Sequence, residues 1–66
     1  GIVTVQVFNL SGELVDVLHR GRLAAGEYTF SWDGRNRDEQ IVVRGLYLIR
    51  VVAAGIDEYR KVLVIK

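Results

Sequence analysis

Hydrophobic and polar residues alternate along several short stretches of this chain. The clearest alternation runs through residues 27–32, where Tyr28, Phe30 and Trp32 fall on one side and polar residues fall on the other. Because successive side chains of a strand point to opposite faces, this pattern predicts a strand that lays three aromatic rings on a core.

Residues 2–8 also read as a strand, with Val3, Val5 and Val7 on one side and apolar groups on the other side too. A strand that is apolar on both faces is expected in the middle of a sheet. We therefore predict that this first strand has neighbours on both edges.

The next segment, residues 13–19, breaks strict alternation, because its apolar residues come in the pairs Leu14–Val15 and Val17–Leu18. A β-bulge or a partly buried edge strand explains such pairs. A short helix is the competing interpretation, since Leu14, Val17 and Leu18 also fit a helical stripe. The β-branched valines and the flanking glycines favour the strand.

Two further strands are predicted at residues 46–53 and 57–65, with a brief extended segment at 41–43 and a hairpin turn at Ala54–Gly55. Short strands separated by glycine turns are typical of a small sandwich or barrel. The fold class predicted from the pattern is all-β, with five or six short strands.

Composition narrows the functions that are open to this chain. It has 66 residues, no cysteine, one histidine and a net charge of +1 from scattered charges. One domain is expected, without disulfides or a zinc cluster, and the basic residues form no patch for nucleic acid. The apolar runs are too short for membrane insertion. We predict no cofactor, no metal and no catalytic residues.

Trp32-Asp33-Gly34 is the most distinctive local motif. The structural interpretation is that Trp32 fills the core, Asp33 accepts backbone N–H bonds and Gly34 supplies an unusual φ. Gly45 and Tyr47 are predicted to serve the same core, with Gly45 allowing a close approach into the next strand. The functional alternative is an exposed aromatic that stacks on a sugar.

A calcium loop is the second alternative, because oxygen-bearing side chains recur after Trp32. Two arginines interleave with these ligands and oppose a divalent ion, so a solvated loop tip is preferred. The candidate ligands are Asp33, Asn36, Asp38 and Glu39, and the arginines are Arg35 and Arg37. His19 lies beside Arg20 and has no evident nucleophile partner, so it is interpreted as a surface or loop residue.

Four blocks of the sequence occur in a familiar order and spacing. They are VTVQVFNLSGELV at 3–15, LAAGEYTFSWDGR at 23–35, GLYLIRV at 45–51 and KVLVIK at 61–66. Together they resemble the immunoglobulin-like domain of the flagellar hook-capping protein family, and also the C-terminal sorting domain of bacterial type-nine secretion substrates. The resemblance implies an immunoglobulin-like β-sandwich.

The chain departs from that family pattern in two places. The family's usual first strand has no counterpart before Gly1, and the glycine that usually follows the Trp-Asp-Gly turn is replaced near Glu39 or Gln40. We therefore interpret residues 1–66 as a single module of a longer secreted or surface protein, with a sheet edge open to strand addition.

The resemblance implies a non-catalytic bacterial module at the cell surface or outside the cell. The leading hypothesis is a sorting and attachment domain whose last strand is recognised by export machinery. The residues of that strand are Lys61, Val62, Leu63, Val64, Ile65 and Lys66. The alternatives are an assembly scaffold or filament subunit and a carbohydrate-binding module. Expected partners are other protein chains, namely export machinery, parent domains or further copies, bound by a sheet edge or face.

Overall fold

A single antiparallel sheet of four strands organises the computed structural model, which describes residues 1–65. The strands are β1 (Ile2–Asn9), β2 (Leu14–Arg22), β3 (Gly45–Ala53) and β4 (Ile56–Val64). Their order across the sheet is β2-β1-β3-β4. Strands β1 and β3 are therefore central, and β2 and β4 form the two edges.

The position of β1 confirms the prediction made from its two apolar faces. It pairs with β2 on one side and with β3 on the other. Val5 is 1% exposed and Val7 is 0% exposed, which makes them the most buried side chains. Apolar groups on both faces suit a strand that has neighbours on both edges.

The broken alternation of β2 corresponds to irregular pairing with β1, as the bulge interpretation predicts. The register shifts between Val5 and Gln6 and again between Val7 and Phe8. At each shift β2 contributes an extra residue, Leu18 at the first and Val15 at the second. Both extra residues pack against the core. The helix alternative for this segment is wrong, and β2 runs three residues further than predicted, to Arg22.

Residues 23–44, here called the connector, join β2 to β3 and contain none of the four strands. The strand predicted at 27–32 is wrong, and the brief extended segment predicted at 41–43 is reduced to an isolated bridge between Arg35 and Ile41. A strand persists when a neighbour accepts its backbone hydrogen bonds. Within residues 1–65, no backbone–backbone hydrogen bond involves residues 27–32.

The predicted second sheet is consequently not formed by the described residues. Instead, the connector packs over one side of the sheet, the covered face. This face carries Val7, Tyr47 and Val64 as the buried cluster, with Trp32 and Val42 from the connector packed against it. The opposite side, the open face, carries the alternate residues of the same strands. It includes Phe8, Leu46, Leu48, Tyr59 and Leu63.

The three predicted core rings differ in their surroundings. Trp32 is half-buried against the core, whereas Tyr28 is 48% exposed and Phe30 is 36% exposed. The Phe30 ring lies 5.4 Å from the His19 ring, and the Tyr28 hydroxyl donates to the Ala24 carbonyl oxygen at 2.6 Å. Placing Tyr28 and Phe30 in a buried core was wrong, because the described residues form no second sheet that would cover them.

Candidate protein-interaction surface

Trp32 attaches the connector to the sheet. Its ring meets the Tyr47 ring edge-on, with centroids 5.2 Å apart and an interplanar angle of 62°. The Trp32 Nε1–H donates to the Arg35 carbonyl oxygen at 2.9 Å, and the Tyr47 hydroxyl donates to the Val43 carbonyl oxygen at 2.6 Å. Both aromatic polar groups are thus bonded to the connector's own backbone, and the two rings hold the connector against the sheet.

Asp33 and Gly34 shape the turn that follows Trp32. The Arg35 backbone N–H donates to Asp33 Oδ1 at 3.0 Å, and Gly34 has φ 76°. The Val42 N–H donates to the buried Gly34's carbonyl oxygen at 2.9 Å, which closes the base of the loop. Each residue of the Trp-Asp-Gly motif therefore has a conformational role. Gly45 has φ 147° where β3 begins, which favours glycine, but a Cβ at this position would meet no atom within 4 Å, so the close approach predicted at Gly45 was wrong.

The loop tip that raised the calcium alternative is organised by an amide rather than by carboxylates. Asn36 Oδ1 accepts the Asp38 N–H at 2.9 Å and the Gln40 N–H at 3.0 Å, so this oxygen is already engaged. Among residues 1–65, no group of three His, Cys, Asp or Glu side chains is arranged to hold a metal. The geometry of the tip is that of a closed polar turn.

The open face presents a shallow depression between strands. It is lined by Phe8, Asn9, Gly12, Leu48, Arg50 and Tyr59. Apolar side chains continue across the same face, because Phe8 pairs with Leu48 and Leu46 pairs with Leu63. Leu63 is 64% exposed and Tyr59 is 51% exposed. Exposed apolar side chains on one face of a sheet are available for contact with another protein.

An ion pair borders this depression and was missed by sequence reasoning. Arg50 Nε and a terminal guanidinium nitrogen donate to the two carboxylate oxygens of Asp57 at 2.8 and 2.7 Å. The Arg50 guanidinium also lies 5.5 Å from the Tyr59 ring centroid. The hairpin turn at Ala54–Gly55 fixes a register in which Arg50 and Asp57 are diagonal neighbours, so the sequence did contain the signal.

The pair changes the ionisation of both side chains. The hydrogen bonds from Arg50 lower the pKa of Asp57, desolvation opposes that shift, and the positive charge of Arg50 adds to it. The hydrogen bonds to Asp57 correspondingly raise the pKa of Arg50. The bidentate geometry fixes a planar cation beside an exposed aromatic ring on the open face.

The predicted sorting strand lies mostly within β4. Lys61, Val62, Leu63 and Val64 are its last four residues, Ile65 follows at 79% exposure, and Lys66 lies outside the described residues. Residues 62–65 line a shallow groove against Trp32, Asp33 and Gly34. The end of β4 therefore packs beside the Trp-Asp-Gly turn. The described part of the chain contains no helix long and apolar enough to cross a membrane.

Comparison with known proteins identifies the family. A model of the FlgD Ig-like domain matches residues 2–57. The chain belongs to the FlgD Ig-like domain family. The basal-body rod modification protein FlgD of Salmonella typhimurium is 38% identical over 53 residues, which is 80% of this chain, and the protein of the same name from Salmonella typhi gives the same values.

The matched region is 23% of the length of each of these FlgD proteins. No solved structure matches the chain significantly. The FlgD Ig-like assignment supports the hook-capping resemblance and gives no support to the sorting-domain resemblance. It also agrees with an all-β fold, although the described residues form one sheet.

Proposed function

We propose that this chain is a non-catalytic structural module that takes part in assembling the bacterial flagellar rod or hook. The observation that carries the proposal is the family match over residues 2–57, together with relatives named for modification of the basal-body rod. The proposal extends to residues 1–66 as one module, and to a location outside the cytoplasm, on the growing flagellum.

The geometry supports a role in binding other protein chains. The polar atoms of Trp32, Tyr47 and Asn36 are engaged within the chain, whereas Tyr59 and Leu63 on the open face are exposed. We infer that the module contacts neighbouring protein chains through this face or through a sheet edge. Such contacts use surface that the isolated module leaves in water.

A chimera tests the proposal. The homologous 53-residue stretch of Salmonella typhimurium FlgD is replaced by the corresponding residues of this chain, and the chimera is expressed in cells that lack FlgD. We expect hook assembly and motility to return at least in part. A matched chimera carrying Val7→Asp, which places a charge at a fully buried position, serves as the unfolded control.

If the chimera is exported and its grafted module is folded, but no hooks form, then the module lacks the assembly role. Electron microscopy of hooks and immunoblots of the exported fraction separate this result from a simple failure to fold.

A further inference from the structure

The outer edge of β4 carries a charge pattern that is complementary to itself. Residues 57–61 read Asp-Glu-Tyr-Arg-Lys, so the signs are reversed on either side of Tyr59. If two β4 strands lie antiparallel with Tyr59 opposite Tyr59, Asp57 faces Lys61 and Glu58 faces Arg60. We propose that β4 pairs with β4 of a second copy about a two-fold axis at Tyr59.

The backbone of β4 is suited to this pairing. Its register with β3 is uninterrupted from Ala53–Ile56 to Gly45–Val64, so the strand has no bulge. The pair Ala53 and Ile56 closes a two-residue turn, and such pairs exchange hydrogen bonds. Because bonding alternates along an antiparallel strand, we expect residues 57, 59, 61 and 63 to direct their N–H and C=O groups away from β3. A register centred on Tyr59 brings two such sets together.

The side chains also match across the axis. Paired residues of antiparallel strands share a face, so Glu58 and Arg60 of the two copies form a ring of alternating charges on the covered-face side. Ile56, which is 49% exposed, then lies opposite Val62. Within one copy, a terminal guanidinium nitrogen of Arg60 lies 3.1 Å from Glu58 Oε2, but both side chains are exposed. A pair of that kind contributes little and can exchange partners readily.

The other edge of the sheet is less suited to accept a strand. Strand β2 is bulged twice, and its Val15 carbonyl oxygen already accepts the Arg37 N–H at 3.1 Å. Bulges and covering segments are the usual protection of edge strands. The two edges thus differ, and β4 is the edge that can extend into a continuous sheet of two copies.

This inference deepens the proposed function and rests on it only in treating the chain as a protein-binding module. It names the partner as a second copy and the contact as a small one, since one strand pair buries less than a standard interface. We therefore expect a weak, reversible dimer, and we set its dissociation constant at roughly 10 µM to 1 mM.

Sedimentation equilibrium on the whole chain tests the pairing through charge reversal. Glu58→Arg places positive charges opposite Arg60, and Arg60→Glu places negative charges opposite Glu58. Each variant alone should dissociate at least about tenfold more readily, because every pair occurs twice at a two-fold axis. An equal mixture of the two variants should associate again, as opposite charges then face each other. Exposed Glu27→Arg in the connector is the charge-matched control and should dimerise like the wild type.

A cross-link tests the register independently of charge. The chain has no cysteine, so Tyr59→Cys introduces a single thiol. Two thiols at the axis should exchange with oxidised glutathione to give a disulfide-linked dimer and reduced glutathione. The control Leu63→Cys should link far more slowly, since the two positions lie about 27 Å apart in this register. A wild type that stays monomeric at about 1 mM, or a dimer that ignores charge reversal at both positions, overturns the proposal. Neither result alters the outcome of the chimera.

Discussion

Glu39 adopts a backbone conformation that its side chain disfavours. With φ 62°, it is the one non-glycine residue of positive φ among residues 1–65. The strain is held by the loop, because the Glu39 N–H donates to the Asn36 carbonyl oxygen at 3.0 Å and its own carbonyl oxygen accepts from Arg35 at 2.9 Å. The resemblance placed a glycine near this position, and the conformation explains why one fits there.

Glu39→Gly should therefore stabilise the chain. The left-handed conformation costs a residue with a side chain about 1–2 kcal/mol, and the added flexibility of glycine when unfolded returns part of that, so a gain of about 0.5–1 kcal/mol is expected. Urea unfolding measures the change in unfolding free energy. Asp38→Gly, at a neighbouring position without positive φ, should be destabilising; equal effects at both positions would contradict the interpretation.

The ion pair between Asp57 and Arg50 makes the stability of the β3–β4 hairpin depend on pH. Its pKa is lower in the folded chain than in the unfolded chain, chiefly through hydrogen bonds from Arg50. The contribution of ionised Asp57 to the free energy of unfolding is therefore fully present above its unfolded pKa, near pH 4. It is lost as the pH falls through the lower folded pKa. We expect Asp57→Asn to have a lower free energy of unfolding than the wild type near neutral pH. This difference in stability should shrink in strong acid, where the wild-type carboxyl is protonated as well.

An NMR titration of the Asp57 carboxyl carbon checks the cause directly. In Arg50→Gln the hydrogen bonds and the positive charge are both removed, so the pKa of Asp57 should rise toward its ordinary value. An unchanged Asp57 titration in this variant would show that Arg50 does not hold the carboxylate.

Trp32 anchors the connector as an element, whereas Tyr28 does not. The indole packs on the Tyr47 ring, and its N–H donates a hydrogen bond to the Arg35 carbonyl oxygen. The Tyr28 side chain is about half exposed. Trp32→Ala should lower the free energy of unfolding by about 2–4 kcal/mol, somewhat less than the truncation of a fully buried tryptophan. Tyr28→Ala should lower it by less than about 1 kcal/mol. Thermal unfolding measured by circular dichroism compares them.

A milder variant keeps this test informative if Trp32→Ala does not fold. Trp32→Phe retains a ring on Tyr47 but loses the hydrogen bond to the Arg35 carbonyl oxygen, which should cost about 1–2 kcal/mol. A larger loss from Tyr28→Ala than from Trp32→Phe would place the anchor elsewhere in the connector.

Alternation in the sequence predicted the faces of strands better than it predicted their existence. Val5 and Val7 are buried as their pattern requires, and the paired apolar residues of β2 do coincide with irregular pairing. Residues 27–32 alternate most regularly, yet they form no strand, because alternation describes side chains and supplies no backbone partner. For the same reason, the Trp-Asp-Gly turn was predictable from local chemistry, but the open face required the register of four strands.

The whole molecule has little buried apolar surface for its length. Its buried hydrophobic residues among positions 1–65 are Val5, Val7, Tyr47 and Val64, while ten large hydrophobic residues are exposed. Domains of this size are marginally stable when alone, and surface left in water is available to partners. Such an arrangement agrees with the proposed role as a module that binds neighbouring protein chains.

Amide hydrogen exchange should differ between the central strands, the edge strand β4 and the connector. Strands β1 and β3 have partners on both sides, so their amides should exchange most slowly. In the monomer, protection should alternate along β4. Exchange should be slow at Glu58 and Arg60, whose N–H groups we expect to bond to β3, and fast at Tyr59, whose N–H group we expect to point away from β3. Residues 27–31, which lack backbone hydrogen bonds in the described chain, should exchange fastest of all. NMR exchange measured at low protein concentration tests this ordering.

Raising the protein concentration separates two sources of protection. Pairing between copies through β4 should slow exchange at Tyr59 and Lys61 while leaving residues 27–31 fast, because the new bonds form only along the β4 edge. Slow exchange at 27–31 in dilute solution would instead mean that the connector finds a strand partner of its own. That result would contradict the single-sheet structure, since the alternating rings of Tyr28, Phe30 and Trp32 would then belong to a second layer.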